Sequence, residues 1–151
     1  MNHWLLKSEP DVFSIDDLKN SPNQTAPWDG VRNYQARNYL RAMQIGDLAF
    51  FYHSNAKPSG IVGIIKIVKK ATPDLSAFNP ENKYYDPKSK PEQPRWFCVQ
   101  VKFVKKFKQM ISLEEIKHIK ELHTMALLHH SRLSVQPVTT KEWDIIISKN
   151  L

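Results

Sequence analysis

An indole, a carboxylate, a glycine, two guanidinium groups, amides and a phenol stand within eleven residues, Trp28 to Asn38 (WDGVRNYQARN). An aromatic face stacks on a flat ring, and amides and guanidinium groups address polar edges. Gly30 lets the backbone take a conformation, or make an approach, that a side chain would forbid. Three other stretches offer groups of the same kind. Lys7, Ser8 and Glu9 follow an apolar run, Tyr52, His53 and Ser54 end another, and Ser134 and Gln136 stand beside Pro137. If these strand ends meet, they enclose a cavity with aromatic walls and fixed donors and acceptors. That suits a base taken out of its stack. Trp28 and Tyr52 are the expected walls, with His53 a further one. Ser8, Glu9, Asn33, Ser54, Ser134 and Gln136 are the expected polar contacts, and Gly30 and Val31 bring the backbone close. Lys7, Arg32 and Arg37 are expected on phosphate or on ligand acceptors. Each also has a plainer role open to it. The Trp28 stretch fits a turn entering a surface helix, Glu9 fits an ion pair with Arg32, Arg37 fits a solvated helix face, and Trp4 fits the core.

Other chemistries lack their patterns. His118 and His123 are five apart and His129 and His130 adjacent, without the partner cysteines or carboxylates of a zinc site, so no metal is expected. No glycine elbow surrounds a serine, and there is neither a P-loop nor a GxGxxG fingerprint, so no catalytic residue and no cofactor is expected. Cys98 lies in a strand pattern and reads as packed. Two alternatives stay open. One is an enzyme on nucleic acid or a nucleotide, with Glu9, His53 and Lys7 in acid–base roles. The other is a protein-interaction domain with a basic face.

The 151 residues are 41% hydrophobic and 25% charged, an ordinary globular composition that fits one domain over 1–151. A net charge of +7 points toward polyanionic partners without naming one. One cysteine precludes an internal disulfide and fits a reducing compartment. No signal peptide and no membrane-length apolar run is seen, so a cytoplasmic protein, or a nuclear one in a eukaryote, is expected.

The elements that must position these groups follow from pattern. Trp4–Lys7 reads as a strand ended by Pro10, and Ser14 caps a short helix over Ile15–Asn20. A helix is expected over Tyr34–Ala42, with Tyr39, Leu40 and Met43 on its apolar face. Leu48–His53 and Ile61–Val68 read as a hairpin of apolar strands, with Gly63 marking a bulge or close approach. Ala71–Arg95, with its five prolines, is a long loop with one helical turn at Leu75–Phe78. Trp96–Lys106 alternates as a half-buried strand. Ser112 and Glu115 form a capping box, and Thr139 and Glu142 repeat it before a last helix ending near Lys149. Between these lie a helical turn at Ala126–His130 and an edge strand over Leu133–Val138. The class is α+β, a strongly curved sheet or open barrel with helices at its ends.

The blocks WLLKSEP (4–10), WDGVRNYQARN (28–38), FFYHSN (50–55), GIVGI (60–64), YYDPKSKPEQPRW (84–96) and SRLSVQPVT (131–139) together resemble the EVE domain. The resemblance covers essentially the whole chain in order. It implies a PUA-like fold, a mixed pseudo-barrel of five or six strands with flanking helices, similar to the YTH domain. By that likeness the Ser8 region and Gly30–Asn33 line a pocket for a modified base, such as methylated or hydroxymethylated cytosine, in DNA or RNA. It also implies that any nuclease or modification enzyme working with the domain is a separate protein.

Overall fold

The apolar runs at residues 4–6 and 48–52 have no polar face to give to water, and they become neighbouring strands buried on both sides. A computed structural model describes residues 1–150. Strand β1 (His3–Ser8) pairs in parallel with β3 (Leu48–His53). The hairpin expected after β3 forms with β4 (Gly60–Pro73), which pairs in turn with β5 (Phe97–Ser112). Short strands β2 (Thr25–Pro27) and β6 (Val135–Val138) close the two edges. The six strands form one mixed, unclosed sheet in the order β2-β5-β4-β3-β1-β6, as the PUA-like expectation requires. Pro137 sits in an edge strand, where a missing N–H costs no ladder bond.

Successive residues of the central strands feed opposite cores. Trp4, Leu6, Ala49 and Phe51 pack with helices α1 (Ile15–Lys19) and α2 (Tyr34–Ala42). Leu5, Phe50 and Tyr52 pack with α3 (Leu113–Lys117), α4 (Ala126–His129) and α5 (Thr140–Ser148). Trp143 of α5 stacks on Phe50 with ring centroids 3.9 Å apart. The capping boxes at Ser14, Ser112 and Thr139 are all formed. Each satisfies two backbone donors that a helix end leaves open. Helix α2 starts at Asn33, whose side chain accepts from the Ala36 N–H at 2.9 Å.

Two features depart from expectation. Strands β4 and β5 run well beyond Val68 and Lys106, and their pairing shifts register four times. Three of the shifts add one residue and the one between Ile61 and Gly63 adds three on β5, so each flips the alternation of faces, and the period-2 signal fades although the strand continues. Strand β2 lies between the helices expected over Ile15–Asn20 and Tyr34–Ala42, where pattern names no element. A 3-10 turn at Pro22–Gln24, with Asn23 and Gln24 at φ 56° and 55°, leads into it.

Gly63 lies at one of the shifts, and here the absent side chain matters. A methyl group would meet both the Ile15 Cδ1 atom and the Lys105 carbonyl oxygen. The carbonyl belongs to the sheet and cannot yield without parting β4 from β5. Gly63→Ala is expected to cost about 1–3 kcal/mol through overpacking. Urea denaturation checks this, and an unchanged midpoint would show that the strands adjust freely.

Candidate functional site

Parallel pairing brings the ends of β1 and β3 side by side, with Ser8 opposite His53. The chains leave the sheet together, the Ser54 N–H donating to the Ser8 carbonyl at 3.0 Å. A cleft of about 910 Å³ opens there. From the first strand it takes Lys7, Ser8 and Glu9. The stretch Ala26–Arg32 forms a second side, and Ser54 and Ser134 contribute from neighbouring chain ends. These residues are far apart in sequence, and the topology gathers them at one end of the sheet.

Trp28 is only 6% exposed. Its ring meets Phe51 edge-on at 5.2 Å and Phe13 at 6.3 Å, so it is a wall whose back is core. Phe13 and Tyr84, which pattern reading did not single out, line the cleft and are less buried than Trp28. Gly30 has φ +80°, and a Cβ there would stand 2.6 Å from the Tyr84 ring. The aromatic ring therefore occupies the space that a side chain would have filled. The cleft also takes in Val12, Asp29, Lys83, Ser131 and Arg132.

The Trp28–Arg32 stretch is held by a buried carboxylate. Asp74 is 1% exposed and takes four hydrogen bonds. Its Oδ2 accepts from the Gly30 N–H at 2.8 Å and Arg32 Nη1 at 3.0 Å, and its Oδ1 accepts from the Ser76 N–H at 2.9 Å and hydroxyl at 2.6 Å. Burial pushes its pKa up. The bonds from Ser76, Gly30 and Arg32 outweigh that and hold the carboxyl below the usual range. Arg32 gives its remaining N–H groups to the Val31 carbonyl, the Tyr84 carbonyl twice and the Ser76 hydroxyl. All five donors are used inside the protein, so Arg32 has none left for a phosphate, and its ion pair is with Asp74 and not Glu9.

The other candidates divide. The Lys7 ammonium donates to the Ser131 carbonyl at 2.9 Å, and burial lowers its pKa. The Ser8 hydroxyl donates to the Phe13 carbonyl at 2.7 Å, and the Glu9 carboxylate accepts from Asn55 at 2.7 Å. Tyr52, His53, Asn33 and Gln136 are not among the cleft's lining residues. Tyr52 faces the second core because strand alternation sends it opposite to Phe51. His53 accepts the Ile15 N–H at 3.2 Å at the start of α1, and burial lowers its pKa. Asn33 is occupied as the cap of α2. Gln136 is buried, its amide donating to the His130 and Leu133 carbonyls and so fastening the turn that carries Ser131 and Arg132. Arg37 lies outside the cleft, over the Tyr34 ring at 4.8 Å and donating to the Arg95 carbonyl. Burial pushes the Cys98 thiol up to about 11, which leaves it unreactive near neutral pH. Among the described residues no group of three metal-ligating side chains exists, and no helix is long and apolar enough to cross a membrane.

Comparison with known proteins places this geometry in a family. The EVE domain family profile matches residues 2–149. Thymocyte nuclear protein 1 of Mus musculus is 52% identical over 164 residues, spanning 97% of this chain and 73% of its own length. The crystal structure of human THYN1 in complex with 5-methylcytosine-containing DNA superposes with a TM-score of 0.96 at 48% identity, over 99% of this chain and 98% of that one. A protein from Pseudomonas syringae superposes with a TM-score of 0.94 at 47% identity, covering 99% of each chain.

The Asp74 knot has a pH signature. Its folded pKa lies below the unfolded value, so it stabilises the fold above the ordinary carboxylate range. That contribution is lost as pH falls through the folded pKa, below about 3.8. Asp74→Asn sets an amide N–H against two donors whichever way it turns. A cost of about 3 kcal/mol is expected at pH 7. The gap between the two proteins, followed by denaturant unfolding against pH, should narrow in acid. A gap independent of pH would refute the charge-based role.

Proposed function

The chain belongs to the EVE domain family, and on that premise we propose that it is a nucleic-acid-binding module whose cleft accepts a single modified base. The observation that carries this is one concavity joining aromatic surfaces, uncommitted polar groups and a cationic rim. Phe13, Trp28 and Tyr84 supply ring surface. Ser54, Ser134 and the backbone around Gly30 supply polar edges. Lys7, Lys83 and Arg132 supply positive charge for phosphates, in keeping with a net charge of +7. The complex of the human relative with 5-methylcytosine-containing DNA supports methylated cytosine as the class of base. A base paired in a duplex would have to leave its stack to enter. The working compartment is then wherever modified nucleic acid is found, the nucleus in a eukaryote and otherwise the cytoplasm. The acid–base alternative loses its geometry, since Glu9 is hydrogen-bonded to Asn55 while His53 is tied to α1 outside the cleft.

A matched set of oligonucleotides with cytosine, 5-methylcytosine or 5-hydroxymethylcytosine at one position, as DNA and as RNA, tests this at fixed salt. A modified base should bind more tightly than plain cytosine. Tyr84→Ala should weaken that binding roughly tenfold, the order of one lost stacking contact, without lowering the melting temperature enough to unfold the protein. Equal affinity across the whole set would refute the proposal.

A further inference from the structure

We infer that Asp29 reads the exocyclic amino group of the bound base, making the cleft selective for 4-amino over 4-oxo pyrimidines. This deepens the base-binding proposal and rests on it. Asp29 lines the cleft between Trp28, an aromatic wall, and Gly30, where the Tyr84 ring leaves no room for a Cβ. Its carboxylate accepts from its own backbone N–H, while no other described residue donates to it or forms an ion pair with it. The neighbouring acids are engaged, Asp74 with its four donors and Glu9 with Asn55. Of the two carboxylates that line the cleft, Asp29 is therefore the one that no other residue engages, while Glu9 has one oxygen held by Asn55.

A carboxylate works against the phosphates that the surrounding Lys7, Lys83 and Arg132 attract, so its use lies elsewhere. Its surroundings press the same way. Asp29 is open to solvent on its outer side, yet partial desolvation against the cleft wall, and then the charge of Asp74, raise its pKa, so the ionised form there gains from a donor. A base held against the aromatic surfaces turns an edge, and not a face, toward a group at that position. Cytosine and its 5-modified forms present N4–H donors, which a carboxylate accepts. Thymine and uracil present O4, an acceptor, so lone pairs would oppose lone pairs. The lock is complementary to the amino group and blind to the 5-substituent, which other parts of the cleft must sense.

The test uses the whole protein and one oligonucleotide sequence carrying 5-methylcytosine, cytosine, thymine or N4,N4-dimethylcytosine at the target position. Both 5-methylcytosine and thymine carry the 5-methyl group, so their comparison isolates the Watson–Crick edge. Thymine and the dimethylated base should each bind the wild type at least about tenfold more weakly than 5-methylcytosine. In Asp29→Asn, whose amide can either accept or donate, the thymine penalty should fall to about threefold or less. The preference for 5-methylcytosine over cytosine should persist, with an unchanged melting temperature. Full binding of the dimethylated base or of thymine by the wild type overturns the inference, as does an undiminished thymine penalty in a folded Asp29→Asn. Equal binding of cytosine and 5-methylcytosine by the wild type, with thymine still rejected, overturns the modified-base proposal and leaves the role of Asp29 standing.

Discussion

Asp74 is buried where β4 ends, and hydrogen bonds from two separate segments converge on it. Two come from the Gly30 N–H and Arg32, and two from Ser76 in its own turn. Arg32 then carries the connection to the Tyr84 carbonyl. One ion pair therefore ties the Trp28 stretch, the exit of the sheet and the long loop into a single rigid wall. Such a pair adds little net stability over an apolar replacement, because desolvation of both charges offsets their attraction. Its value is directional. Five donors and four acceptances in fixed geometry leave the loop one arrangement, and that arrangement shapes the cleft.

The long loop depends on the same logic. Its prolines remove backbone donors and regular pairing, so side chains near them take over the accepting role. Asn79, Asn82 and Asp86 each accept an N–H from two residues on, and the Ser89 hydroxyl accepts from Arg95. The Trp96 indole donates to Asp86 at 2.7 Å and stacks on Tyr34 of α2 at 4.9 Å. A stretch that looks unstructured by periodicity is thus built from consecutive Asx-type turns. The signal is present in the spacing of Asn and Asp, but it specifies local turns and says nothing about which wall the loop completes.

Much of the fold was legible because the signals were local. The N-cap Ser14 and the capping boxes at Ser112 and Thr139 set helix starts, and apolar runs set β1 and β3. The site was legible in part, since the strand ends with polar groups do meet. What failed was parity and occupancy. Tyr52 and Phe51 are equally aromatic, and only the pleat decides that one faces the second core and the other the Trp28 side. Arg32 looks like a phosphate ligand in sequence because nothing in sequence shows that Asp74, forty-two residues on, already holds it. Phe13 and Tyr84 lay in segments without periodicity, where an aromatic carries no sign of its direction.

Charge and selectivity are then different problems with different solutions in one cleft. A surplus of lysine and arginine draws any nucleic acid toward the surface, and more of it would strengthen good and bad partners alike. Aromatic surface accepts any base, since every base has a π-face. Neither can choose between two pyrimidines that share a 5-methyl group. That choice requires a fixed polar group whose sign opposes one of them, placed on an element too rigid to turn away. The segment of Asp29 is such an element, because the next residue but two is Arg32 and the next is Gly30, both anchored on Asp74. The buried ion pair that costs desolvation to form is what would give a lone carboxylate the stiffness to discriminate.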